Sequence, residues 1–132
     1  MSYPITGGCF CGAIRYELGQ SPMRVLMCHC VSCRKATGAT RVAWAVVKNS
    51  DLHWLNHEPK NIQSSANAQR GFCANCGTSL TYRHANDVDT MDITLASFDH
   101  PEHFPPQADI WTADRLSWEC SLKGALQFSE DI

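Results

Sequence analysis

A mainly β domain of short antiparallel strands is what this sequence predicts, and three observations predict it. The chain has 132 residues, the size of one domain spanning 1–132. Gly7-Gly8, Gly12, Gly38, Gly71, Gly77 and Pro105-Pro106 cut it into short pieces. Between these breaks, apolar residues recur mostly with a period of two, as in half-buried strands.

The elements follow in order. Ala13 to Leu18 (AIRYEL) alternates, and so does Met23 to Met27. Val31 to Ala36 is the one helical stretch before the C-terminus, a short turn on a cysteine-bearing loop. Thr40 to Val47 (TRVAWAVV) is richer in apolar and β-branched residues, which predicts a more buried strand. Ser79 to Tyr82 and Thr90 to Ser97 (TMDITLAS) read as further strands. From Trp118 onward the pattern is ambiguous; Leu122 to Phe128 fits a short helix or a strand.

Composition narrows the class. A hydrophobic content of 44% and four tryptophans supply a core, and the charged content of 18% argues against disorder. No apolar run approaches the ~20 residues of a membrane span. Met1-Ser2-Tyr3-Pro4 lacks the basic and apolar pattern of an export signal, so a soluble cytoplasmic protein is expected. The formal net charge is −2, and no basic run exceeds Arg34-Lys35, which argues against nucleic acid as a partner. No amphipathic face indicates an oligomeric state.

Eight cysteines in such a chain mean disulfides or metal. Disulfide frameworks belong to exported chains, and Cys-x-Cys and Cys-x-x-Cys pairs chelate better than they bond to each other. Cys9 and Cys11 sit in GGCFCG, whose glycines permit the sharp turn that brings two sulfurs to one ion. Cys73 and Cys76 sit in FCANCG, half of a zinc knuckle. Together these four complete a closed, structural tetrahedral site. Cys28, Cys30 and Cys33 (CHCVSC) offer three sulfurs, and three protein ligands with an open position are the pattern of a catalytic zinc. The rival reading is a second structural site closed by a histidine or by Cys120. His29 lies between two of the cysteines and is expected to point away from their ion. His53, His57, His84, His100 and His103 show no ligand spacing, and His100 and His103 are expected at the surface. Cys120 stands alone and is expected to be a buried apolar filler.

The segments GGCFCGAIRY, CHCVSCRKATGA, RGFCANCGTSLTYR and ASFDHPEHFPPQADIWTADRLSW, spanning about Gly7 to Trp118, resemble the glutathione-dependent formaldehyde-activating enzyme family, whose domain is shared with a vertebrate centromere protein. The resemblance implies a β-rich fold of the Mss4-like type with two zinc ions. It assigns Cys9, Cys11, Cys73 and Cys76 to the structural ion and Cys28, Cys30 and Cys33 to the catalytic one. One departure is visible: Asp109 stands where the family often has histidine, before Ile110-Trp111.

The activity so implied is that of a carbon–sulfur lyase. Glutathione would add to formaldehyde to give S-hydroxymethylglutathione, and the reverse step would break the carbon–sulfur bond. A zinc held by three thiolates is a weaker Lewis acid than one held by three histidines, which favours thiol handling over water activation. The two carboxylates of glutathione need cations, and Arg34, Lys35 and Arg41 are the candidates; Thr37 and Gly38 are possible donors. Two alternatives stand beside this reading: a non-catalytic zinc module that binds a protein or nucleic acid, and a thiol redox sensor.

Overall fold

The computed structural model describes residues 3–132; Met1 and Ser2, which open the stretch read above for an export signal, lie outside the described residues. The elements run β1 (Ile5–Gly8), β2 (Arg15–Leu18), β3 (Arg24–Cys28), α1 (Val31–Thr37), β4 (Val42–Lys48), β5 (Leu52–Trp54), β6 (Lys60–Ser65), β7 (Ala68–Phe72), β8 (Ser79–His84), β9 (Thr90–Thr94), β10 (Ala108–Ile110) and β11 (Leu126–Gln127). The protein is mainly β, as the alternation predicts. One sheet has the order β1-β2-β5, and the other β11-β10-β3-β4-β9-β8-β7-β6.

The large sheet is mixed rather than purely antiparallel. β10 pairs parallel with both β3 and β11. Between β9 and β10 the chain crosses over through 3-10 turns at Leu95–Ser97 and Pro101–His103. A crossover of a dozen or so residues returns a strand in the same direction as its neighbour. The strand expected over Thr90 to Ser97 therefore ends at Thr94, where the chain turns and the Ser97 hydroxyl donates to Thr94 O at 2.7 Å. In the ambiguous tail, the two-residue β11 settles the matter for strand.

Two cores form. One gathers Ile5, Ile14, Tyr16, Leu18, Ala45, Val47, Leu80, Ile93, Leu95 and Phe98, with Cys9 and Cys73 among them. The other gathers Leu26, Val42, Trp44, Val46, Ala108 and Ile110, with Cys28 and Cys33 among them. The two cysteine groups thus belong to different cores. β4 supplies both cores by alternation, which is why it reads as the most buried strand. Gly7 permits a close approach inside the first core. A β-carbon there would lie 2.4 Å from Tyr16 Oη and 2.6 Å from Ser97 O.

Candidate metal centres and the cavity beside the triplet

The four sulfurs of Cys9, Cys11, Cys73 and Cys76 all lie within 4.8 Å of one another. None of the eight cysteines is in a disulfide. Cys11 Sγ is 3.6 Å from Cys9 Sγ and 3.8 Å from Cys73 Sγ. With zinc–sulfur bonds of ~2.3 Å, a tetrahedron has sulfur–sulfur edges of about 3.8 Å, so the spacing fits an ion. Local folding explains the convergence. The β1–β2 connection closes through Cys9 N to Ile14 O at 3.0 Å, with Gly12 at φ 81°. The β7–β8 connection closes through Cys73 N to Thr78 O at 3.0 Å, with Gly77 at φ 83°. Positive φ at both turns is the freedom that glycine supplies.

Donors surround these sulfurs. Ile14 N reaches Cys9 Sγ at 3.3 Å, Cys76 N reaches Cys73 Sγ at 3.4 Å, and Asn75 Nδ2 reaches Cys11 Sγ at 3.2 Å. The Thr78 hydroxyl, 3.2 Å from Cys76 Sγ, and the Thr78 backbone hold the Cys76 thiol down at about 5. Such hydrogen bonds favour thiolate, the form that ligates metal.

Cys28, Cys30 and Cys33 form the second cluster, again with sulfurs within 4.8 Å of one another. Cys28 ends β3, Cys30 is the N-cap of α1, and Cys33 lies in its first turn. The cap is unusual in using sulfur: Cys33 N donates to Cys30 Sγ at 3.3 Å. The Cys30 thiol is held down by hydrogen bonds from the Cys28 and Cys33 thiols and from Cys33 N. Among the described residues, neither a histidine nor Cys120 joins the three. Cys120 is exposed rather than a buried filler, because it lies in an irregular segment outside both sheets. All-thiolate donor sets suit zinc, so both clusters can hold that ion.

His29 is fully buried, and its Nε2 lies 2.8 Å from Asp109 Oδ1, also fully buried. The other Asp109 oxygen accepts from Leu122 N at 3.0 Å and from Gln127 Nε2 at 2.6 Å. Asp109 therefore binds the triplet strand to the C-terminal segment. His100 and His103 are exposed, as expected, and their rings stack at 5.7 Å.

The triplet opens on a cavity of about 650 Å³ on the second-core face of the large sheet. Its walls include Arg24, Trp44, Arg70, Tyr82, Asp92 and Trp111. Trp111 holds a left-handed backbone, φ 55°, which costs a side-chain-bearing residue about 1 kcal/mol. Arg70 lies 4.7 Å over the Tyr82 ring, and its Nη2 donates to Cys33 Sγ at 3.6 Å. Of the cations named from sequence, Arg34 donates Nη1 to the carbonyls of His29 and Asp114. Arg41 donates to Cys120 O at 3.1 Å and pairs with Glu119 at 3.0 Å. Lys35 is exposed on α1. Arg24, Arg70 and Asp92 are missed by sequence reasoning, because they lie on three separate strands and only strand pairing unites them. The available signal was one polar side chain on the buried-face phase of each strand.

Fold and site together define a mainly β cysteine-cluster protein, with one closed set of four sulfurs and one open set of three. The chain belongs to the glutathione-dependent formaldehyde-activating enzyme family, whose pattern it matches over residues 4–114. It is 27% identical over 109 residues to a Schizosaccharomyces pombe protein named as an uncharacterized lyase, covering 83% of this chain and 79% of that one. Its fold is similar to the crystal structure of a Rhodobacter sphaeroides structural-genomics protein, with a TM-score of 0.60 and 22% identity, over 72% of this chain and 88% of the other.

Proposed function

We propose that this protein is a zinc-dependent carbon–sulfur lyase that makes and breaks a glutathione–formaldehyde adduct. The observation that carries the reading is the open triplet: three converging sulfurs facing a cavity, beside a separate, closed set of four. Cys9, Cys11, Cys73 and Cys76 would hold a structural zinc, and Cys28, Cys30 and Cys33 a second one. A zinc at the triplet supplies positive charge that favours the thiolate form of an incoming thiol.

The chain's own residues do the rest. Cys28, Cys30 and Cys33 are fixed by β3, by the α1 cap and by the His29–Asp109 pair. Arg70 offsets the negative charge of three clustered thiolates and is itself held by the Tyr82 ring. Arg34 fixes the cavity wall through two carbonyls, and Arg41 fixes the segment of Cys120; of the three candidate cations, Lys35 is the one left to meet a carboxylate from solvent. In the synthetic direction the glutathione sulfur bonds to the formaldehyde carbon, and the carbonyl oxygen takes up the proton that the thiol gave up. In the reverse direction that hydroxyl loses its proton and the carbon–sulfur bond breaks. A cytoplasmic setting, where thiols stay reduced, belongs to this proposal.

The test is adduct formation from glutathione and formaldehyde by zinc-loaded protein, against a Cys30→Ser control. A rate above the uncatalysed one, lost in the variant, is expected. Equal rates with protein, variant and no protein would reject the reading.

A further inference from the structure

Strand pairing sets Arg24, Val46, Asp92, Tyr82 and Arg70 in one row across five strands, on the face that carries the triplet. All five line the cavity of Cys28, Cys30 and Cys33. Arg70 is engaged by Cys33 Sγ and the Tyr82 ring. Among the described residues, Arg24 and Asp92 form no ion pair, although both face this space. Burial and the nearby Asp87 push the Asp92 carboxyl up to about 7, against the opposing pull of the Arg24 guanidinium.

The row suits one kind of ligand. Strands lie about 4.8 Å apart, so Cα atoms two strands apart, as in Arg24 and Asp92, are about 10 Å apart. A simple anion would meet the carboxylate, and a simple cation would meet the guanidinium. An α-amino acid group carries both charges on one carbon and satisfies both, ammonium toward Asp92 and carboxylate toward Arg24. We propose that Asp92 and Arg24 receive the amino-acid end of the thiol, so that the substrates are thiols bearing a zwitterionic α-amino acid group. This rests on the lyase reading of the triplet.

The test is calorimetric binding of S-methylglutathione to the metal-loaded protein. Its blocked sulfur cannot form the adduct, so binding is read without turnover. Asp92→Asn and Arg24→Gln should each weaken binding about tenfold, with metal content and circular dichroism unchanged. Removing the α-amino group from the ligand should cost the wild type about tenfold and Asp92→Asn almost nothing, since the paired group is already gone. In turnover, both variants should raise KM for glutathione more than they lower kcat. Equal binding by wild type and both variants, or no binding at all, would overturn the assignment. Binding that depends on Asp92 with no adduct formed would reject the lyase reading and keep this one. Adduct formed equally from glutathione and 2-mercaptoethanol by every variant would do the reverse.

Discussion

Asp109 and Asp92 are both carboxylates on the large sheet, and their surroundings give them opposite consequences. Asp109 is fully buried but fully engaged, by His29, Leu122 N and Gln127. Asp109→Ala would strand these partners, together with Arg115 at 3.7 Å, and should cost about 3 kcal/mol, read by chemical denaturation. It should also speed metal loss from the triplet to a chelator, because His29 sits between two of its cysteines; Asp109→Asn should recover part of both effects. Asp92 carries the opposite sign. Its folded value near 7 lies above the ordinary carboxylate range, so the folded protein holds a proton that the unfolded chain has released. That difference costs nothing below about pH 4, grows as pH rises toward 7 and is complete above it. Asp92→Asn should therefore raise Tm at pH 8, by an amount equivalent to about 1–2 kcal/mol after allowing for partial exposure, and change it little at pH 4. A Tm difference independent of pH would contradict this sign.

At the scale of elements, what was legible in the sequence was what repeats locally. β2, β3, β4 and α1 were legible because alternation, β-branched density and the cysteine turn lie within a few residues of one another. The hairpin of β6 and β7 was not legible: every residue of β6 is exposed, so KNIQSS carries no hydrophobic signal, and pairing alone makes it a strand. The parallel β10 was hidden because three residues acquire their partners only through a long crossover. The cysteine sets were legible because ligand spacing is itself local, whereas the cavity row depends on register between distant strands. Gly7 gives an element-level prediction. Gly7→Ala places a β-carbon against both a side chain and a backbone carbonyl, so β1 must shift from Tyr16 and Ser97. A loss of about 2–3 kcal/mol is expected by denaturant titration.

For the molecule as a whole, the two clusters should separate by function. No helix among the described residues is long and apolar enough to cross a membrane, and the two clusters belong to different cores. Metal analysis should find two zinc ions per chain. Cys30→Ser should keep one ion and a cooperative melt within a few degrees of wild type. Cys73→Ser should lose the cooperative transition, because a metal held by all four sulfurs would be coupled to folding. A Cys73→Ser variant that melts like wild type would show that the first core does not depend on its ion. The closed set also imposes a timetable on biosynthesis. Cys11 and Cys73 are 62 residues apart in sequence, so the early pair leaves the ribosome well before its partners exist. At about 5–20 residues per second, that interval is roughly 3–12 s. During it, Cys9 and Cys11 are a bare dithiol, without the two cysteines that complete their cluster.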